Sequence, residues 1–577
     1  MTTLPAVRRA SVVPRSLSVA LSLARVEARK LLRHPLVVLG SILPFAITIG
    51  VTWRDVPVLN RHDSLTVDAL VPLAATVLIA AHLATMRSRR YKTTELLDSL
   101  VTSDATVTAA HLLSVMYVSF FALVLVIVQL TYMKVIGGVA APRPVVILIG
   151  PTLVAFAGGF GVALGRWAPR MFAAPLGLSG LVALSAVLIG NTYQHNREWL
   201  SLWVPGEGLA GIASEITLRP QGWRLAYFLG LVAIAASIAF IHHASKRVIA
   251  ACLAPVALLG TFIAAIQLAK ENPRSLQTAI TTQLREAWEN PSCREFSSVA
   301  YCPLPGYEPW IDRWRKPTEG VLAAAPAEAR PTDLRLLQAP GNSERYDEDR
   351  NNRVSRWLHR EWRRGTLALE TDIHPSMRWG RNSAQGESEL SIALMVAART
   401  IGVDSRFRLT HDDLQAMGNP RGSRFKAGRR YSQCGTLEQG RAIVGLWLAA
   451  QATDSTEAAF YPAAARAPYQ TRSDVPPAYF DPVAWNLIAY TYGTLDDSTV
   501  VWGTRETKYA LQLIEQDEAE VRAMVAKDWV QLIDPATTTD EAAAILGLSP
   551  LPSLEEALDN WGLPYRGMKQ FGYVPCH

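Results

Sequence analysis

The chain has eleven histidines and five cysteines, the residue types best suited to metal binding or catalysis, and their spacing builds neither. His359 sits in WLHREW, where a zinc-binding helix needs a second histidine one turn on, and none follows. His374, His411, Asp412 and Asp413 are the right types for acid–base work, but no spacing forces them together. No GxSxG turn presents a nucleophilic serine. No HExxH or CxxC pair offers zinc ligands. No GxxxxGK[ST] loop supplies the backbone N–H groups and lysine that hold β- and γ-phosphates. The expectation is a chain without a catalytic or metal site of its own, so its function rests on the elements that carry its charges.

Those charges are unevenly placed. Of 57 Lys/Arg and 50 Asp/Glu, residues 1–269 hold 22 and 10, and residues 270–577 hold 35 and 40. The net charges are +12 and −5, which together give +7. The first part is too apolar for a soluble domain, and the second has ordinary soluble composition. The positive excess belongs to the apolar part, so it is not read as a nucleic-acid footprint. Seven apolar runs there have the length a bilayer crossing needs: 36–53, 67–86, 106–130, 144–165, 171–190, 224–242 and 248–268. Pro44 lies inside the first, which a membrane helix tolerates. With the N-terminus inside, segments 1–35, 87–105, 166–170 and 243–247 carry 15 basic residues, and loops 54–66, 131–143 and 191–223 carry 6. This is the bias expected of cytoplasmic loops. Trp53, Tyr132, Tyr193, Trp199, Trp203 and Trp223 fall at the outer ends, where amphipathic rings favour the headgroups.

The expectation is a polytopic α-helical membrane protein whose odd span count exports the rest of the chain. A cytoplasmic N-terminus (1–35) leads into the transmembrane domain (36–268). A linker (269–300) and a mainly α-helical extracytoplasmic domain (301–577) follow. Helical patterns there cover 350–364, 387–401, 437–452, 506–533, 539–546 and 553–560, with a short strand at 404–410 and a loop at 315–350. Eleven tryptophans from Trp288 to Trp561 imply a real core. Cys252 lies in the last span, whereas Cys293, Cys302, Cys434 and Cys576 are exported, and an even number in an oxidising compartment suggests two disulfides. Cys293–Cys302 is favoured by proximity in the chain, leaving Cys434–Cys576. Four unpaired buried thiols are the alternative. His82, His111 and His242 lie in or at the ends of spans, where a histidine bonded to a neighbouring helix is commoner than one on a transport path. Gly158, Gly159, Gly161 and Gly165 suit close helix packing.

Two segments flank the first spans on the expected cytoplasmic side. Residues 17–33 read as an amphipathic helix, with Leu17, Leu21, Ala24, Ala28, Leu31 and Leu32 along one stripe and Arg25, Arg29 and Arg33 turned elsewhere. Such a helix can lie in the membrane interface, its arginines at anionic lipid headgroups. A basic flank that only sets topology is the plainer alternative. Residues 87–105, RSRRYKTTELLDSLVTSDA, begin with Arg87, Arg89, Arg90 and Lys92. Thr93 or Thr94 can cap a short helix in which Glu95 complements the dipole and Leu96, Leu97 and Leu100 form an apolar face. That face suits a groove on another protein or the chain's own bundle.

The second segment resembles the first cytoplasmic loop of ABC-2 type transporter permeases, where a basic run leads into G-T-E-x-L-L-x-x-L-P-[VI]-[ST]. Thr94, Glu95, Leu96, Leu97, Leu100 and Thr102 carry the likeness, and Thr93 and Val101 stand where the family commonly has glycine and proline. The amphipathic N-terminal helix followed by HPLVVLG resembles the family's elbow helix and first span, as does the turn Gly165–Arg170. The likeness covers roughly 17–242. Cys293…Tyr301-Cys302-Pro303, with 440–452, also resembles extracytoplasmic extensions on some actinobacterial permeases. The resemblance implies an ABC-2-like bundle of six spans plus one, forming the permease subunit of an exporter in a bacterial cell membrane. It implies a homodimer or heterodimer of permease chains and a separate ATPase subunit that carries ATP and Mg. Arg89, Arg90, Thr94, Glu95, Leu96 and Leu97 become the residues that couple to that ATPase. A membrane-anchored sensor or scaffold with a ligand-binding outer domain is the reading from a different class, and an anchored hydrolase is a third.

Overall fold

The computed structural model describes residues 15–91, 103–190, 200–203, 221–241, 247–269, 291–338, 372–373, 379–402, 434–435, 439–464, 505–552 and 574–575. The chain falls into two compact units. One is Met1–Thr52 with Pro57–Arg274, and the other is Trp53–Val56 with Ser275–His577.

The first unit is helical. Its described helices are α1 (Arg15–Leu32), α2 (Pro35–Val51), α3 (Leu59–Ala69), α4 (Val71–Arg90), α5 (Asp104–Val135), α6 (Pro144–Trp167), α7 (Ala173–Gly190), α8 (Gln221–Ile241) and α9 (Arg247–Ala269). Five stretches are long and apolar enough to cross a bilayer: His62–Arg87, Asp104–Val135, Pro144–Trp167, Gln221–Ile241 and Ala251–Ala269. A sixth exists if α1 and α2, bent by 64° at their junction, count as one broken span. Together they mark a membrane protein. A helix stands at each of the seven expected positions, but by length and composition the count is five to six. The expected span at 171–190 is a shorter apolar helix.

The bend between α1 and α2 has a local cause. Proline disfavours helical backbone in the residue before it. His34, ahead of Pro35, is extended (φ −68°, ψ 131°) and caps α2 by accepting the Leu36 N–H on Nδ1 at 3.3 Å. At the centre of the bundle α4 lies against α6, with Leu73, Val77, Leu78, Ile149, Leu153 and Val154 in one core. Close approach there depends on glycine. A Cβ at Gly161 would stand 2.3 Å from the Leu78 carbonyl oxygen, and one at Gly158 would stand 2.5 Å from Val115. Gly159 differs, since its Cβ would meet Ala235 at an ordinary 3.6 Å. On α9, Leu253, Val256, Leu258, Leu259 and Phe262 are exposed, as on a lipid-facing helix.

The second unit joins a small sheet to helices. Strands β1 (Arg294–Phe296), β2 (Val299–Cys302), β3 (Leu334–Leu337) and β4 (Asp372–Ile373) lie in that order, β1–β2 antiparallel and the others parallel. β1 begins inside the stretch expected to be a linker. The crossover from β2 to β3 is α10 (Ile311–Ala324), so part of the expected loop at 315–350 is helix and strand. A Cys293–Cys302 disulfide closes the β1–β2 hairpin. Helices α11 (Gln385–Thr400), α12 (Arg441–Ala450), α13 (Asp454–Ala464), α14 (Arg505–Ile514), α15 (Glu518–Lys527), α16 (Trp529–Leu532) and α17 (Thr539–Ile545) complete its described α-helices. Every residue of α12 is buried, and after Arg441 the helix is apolar on all sides. Trp310, Trp314, Trp447 and Tyr301 are fully buried. β5 (Cys434–Gly435) pairs in parallel with β6 (Val574–Pro575) in the register Cys434↔Val574. Cys576, its expected partner, lies outside the described residues.

Trp53–Val56 belong to this second unit through main-chain bonds. The Val56 N–H donates to Trp379 O at 2.7 Å, the Arg381 N–H donates to Arg54 O at 2.6 Å, and Asn382 Nδ2 donates to Trp53 O at 2.7 Å. An Arg54–Glu387 pair at 3.8 Å adds to them.

Candidate functional site

The first 53 residues contain a single acidic residue, Glu27, set among seven basic ones. It lies on α1, whose buried face is Ala20, Ala24, Glu27, Ala28 and Leu31. That spacing is one helical stripe. Three alanines on it let α1 pack closely along α5. The apolar stripe expected to meet lipid therefore turns in part toward protein: Ala24, Ala28 and Leu31 are buried, while Leu17 is exposed. Arg25, Arg29 and Arg33 are exposed, as expected.

Glu27 is only 7% exposed, and its carboxylate takes two cations. Lys30 Nζ donates to Oε1 at 2.9 Å, and Arg87 Nη1 donates to Oε2 at 3.1 Å and to Oε1 at 3.4 Å. His111 of α5 is buried within the electrostatic reach of Glu27, Lys30, Arg87 and Arg166. One carboxylate thus gathers charge from α1 and α4 beside α5 and α6. The Glu27–Arg87 pair joins α1 to α4. His82, one turn and a half back on α4, pairs through Nε2 with the Arg170 carbonyl oxygen at 3.1 Å, which ties α4 to the turn after α6.

Arg89 and Arg90 occupy the last turn of α4, and Arg90 is exposed. Thr94, Glu95, Leu96 and Leu97 lie outside the described residues. So do His242, His359, His374, His411, Asp412 and Asp413. Among the described residues no group of three or more His, Cys, Asp or Glu could hold a metal ion.

No protein-family model, curated protein or solved structure matches this chain. The function must come from its own residues, and two charged pairs stand out that sequence reasoning did not single out. Glu27 had a visible signal, a lone acid in a strongly basic helix. Asp63 and Arg143 form the second pair, at the far end of the bundle, with Arg143 Nε 3.3 Å from Asp63 Oδ2. They are 80 residues apart in sequence, and both lie in loops expected to be short and polar, so no pattern joined them.

Proposed function

We propose that this chain is the permease subunit of an ABC-type exporter, which couples ATP hydrolysis by a separate ATPase chain to movement of a substrate across a bacterial cell membrane. The observation that carries this reading is the Glu27–Arg87 tie. It fastens a basic amphipathic helix, bent 64° from the first span, to the helix that leads directly into the basic segment 87–105. Closure of the ATPase pair pushes on Arg89, Arg90 and the segment Thr94–Leu97. α4 carries that push to α1 through Glu27, and the bundle passes between inward- and outward-facing states.

The second unit is extracytoplasmic in this reading, and the N-terminus is cytoplasmic. Support comes from parity. Residues 53–56 follow α2 directly and hydrogen-bond to residues 379–382, so both segments face the same side. An even number of crossings must then separate Val56 from Ser275. His62–Arg87, α5, α6, α8 and α9 make five, and α7 supplies the sixth. Its 18 residues span about 27 Å, close to the hydrocarbon thickness. With α2 the total is seven.

The test is co-purification of the full chain with a co-expressed ATPase encoded beside it. The ATPase should be retained by the unaltered chain and lost with Glu95→Lys plus Leu96→Asp. Retention of the ATPase and normal ATP-driven cycling in the double variant would remove the coupling role of this segment. Absence of any ATPase partner would favour an anchored sensor or scaffold.

A further inference from the structure

The end of the bundle away from α1 is polar where its surroundings are not. On α3, Asn60, His62, Asp63, Ser64 and Thr66 are all buried. Asp63 is 1% exposed, and its carboxylate accepts the Ser64 N–H at 2.8 Å and both the main-chain N–H and Nε of Arg143 at 3.3 Å. Arg143 is the N-cap residue of α6. The pair therefore pins α3 to the entry of α6.

Toward the same helix ends lie buried polar groups without a hydrogen-bond partner. Gln129 of α5 is wholly buried, and neither its amide nitrogen nor its oxygen has a partner among the described residues. The Thr48 hydroxyl of α2 is in the same state, as is Nη2 of Arg143. Gln129 lies six residues, about 9 Å, inside the Val135 end of α5, and Thr48 lies three residues inside the end of α2. α3 packs on α2, α5 and α6, and α5 packs on α2 and α6. A buried amide without hydrogen bonds is costly in hydrocarbon, where no water is at hand to satisfy it. Such a group is tolerated where another state supplies its partners, and intramembrane polar residues cluster on transport paths for that reason.

We propose that the outer end of the bundle holds a binding site for an oxygen-rich polar cargo, lined by Thr48, Gln129 and Nη2 of Arg143, and closed in this state by the Asp63–Arg143 pair. The outward position of this end and the role of cargo rest on the permease reading. The cargo's oxygen acceptors meet Arg143 Nη2 and the Gln129 amide N–H, and its donors meet Gln129 Oε1. Breaking the ion pair frees α3 from α6 and admits water to Gln129.

The experiment needs neither cargo nor ATPase. Gln129→Cys is placed in a full-length Cys252→Ser chain, and intact cells are treated with a cationic, membrane-impermeant methanethiosulfonate. Modification should be slow with the pair intact. It should be about tenfold faster or more with Asp63→Asn or with Arg143→Gln, the factor that about 1.4 kcal/mol of lost closing energy gives. Equal rates in all three chains, fast or slow, overturn the proposal. A second measurement guards against misfolded variants: Gln129→Leu should raise the melting temperature of the purified protein, because it removes an unmet amide. A fall would mean that Gln129 is bonded in this state, and would also overturn the proposal. A chain that passes both tests yet binds no ATPase fails as a permease while keeping its polar site.

Discussion

Glu27 offers the sharpest test of the transmission reasoning. Replacing it with glutamine keeps shape and removes charge, leaving Arg87 and Lys30 facing an amide. A hydrogen bond to a charged group contributes about 1.5–3 kcal/mol. Glu27 is nearly buried, but the Arg87 side chain is 38% exposed, and solvent screens that side of the pair. A coupling of about 1–2 kcal/mol remains after that discount. The Lys30 contact joins an i,i+3 neighbour that is 50% exposed, and is worth a few tenths of a kcal/mol. A double-mutant cycle of Glu27→Gln and Arg87→Gln, read by detergent-titrated unfolding of the purified protein, isolates the first term. The Lys30→Gln cycle should give a much smaller one. If the Glu27–Arg87 coupling falls below about 0.3 kcal/mol, the two mutations are simply additive. The carboxylate would then not bind α1 to α4, and the transmission route would be wrong.

Three further outcomes follow from other parts of the molecule. Gly161→Ala should destabilise the bundle by about 1–3 kcal/mol because backbone blocks its Cβ, whereas Gly159→Ala should cost little; thermal unfolding of both variants distinguishes them. Replacing Cys293 and Cys302 by serine opens a loop with a sequence separation of 9 and should cost about 2–3 kcal/mol on the chain-entropy estimate, with thiol labelling before and after reduction confirming the bond in the parent. Glu541 accepts the Thr538 main-chain N–H and hydroxyl in a capping box, and these bonds hold its carboxyl below its ordinary value of 4.5. Its contribution is therefore full above that value and fades as pH falls through the lowered one. Acid should weaken amide protection at the start of α17 in the parent, and much less in Glu541→Gln.

The helices of the first unit were legible because twenty apolar residues in a row have few other uses. Their ends were less so: α5 runs on to Val135, past the apolar run, because its last turns still carry Leu130 and Met133 inward. The expected glycine packing was legible in kind but not residue by residue, since only geometry separates Gly161 from Gly159. The strands of the second unit were hidden. β1 and β2 are three and four residues long, and their turn uses Ser297 at φ 56° without the glycine or asparagine that marks most such hairpins. The charged pairs were hidden for a different reason. Glu27 meets Arg87 across 60 residues, and a spacing argument has no purchase on contacts that only tertiary packing creates.

The four residues Trp53–Val56 make the second unit discontinuous in sequence. Asn382 bonds to Trp53 across 329 positions, with the remaining apolar helices of the first unit between them. During synthesis the early segment must therefore wait, unpaired, until residues near 380 have emerged. A fragment cut from residue 275 onward would carry an open edge at Gly380 in place of its missing partner. Its failure to behave would say nothing against the fold of the intact chain.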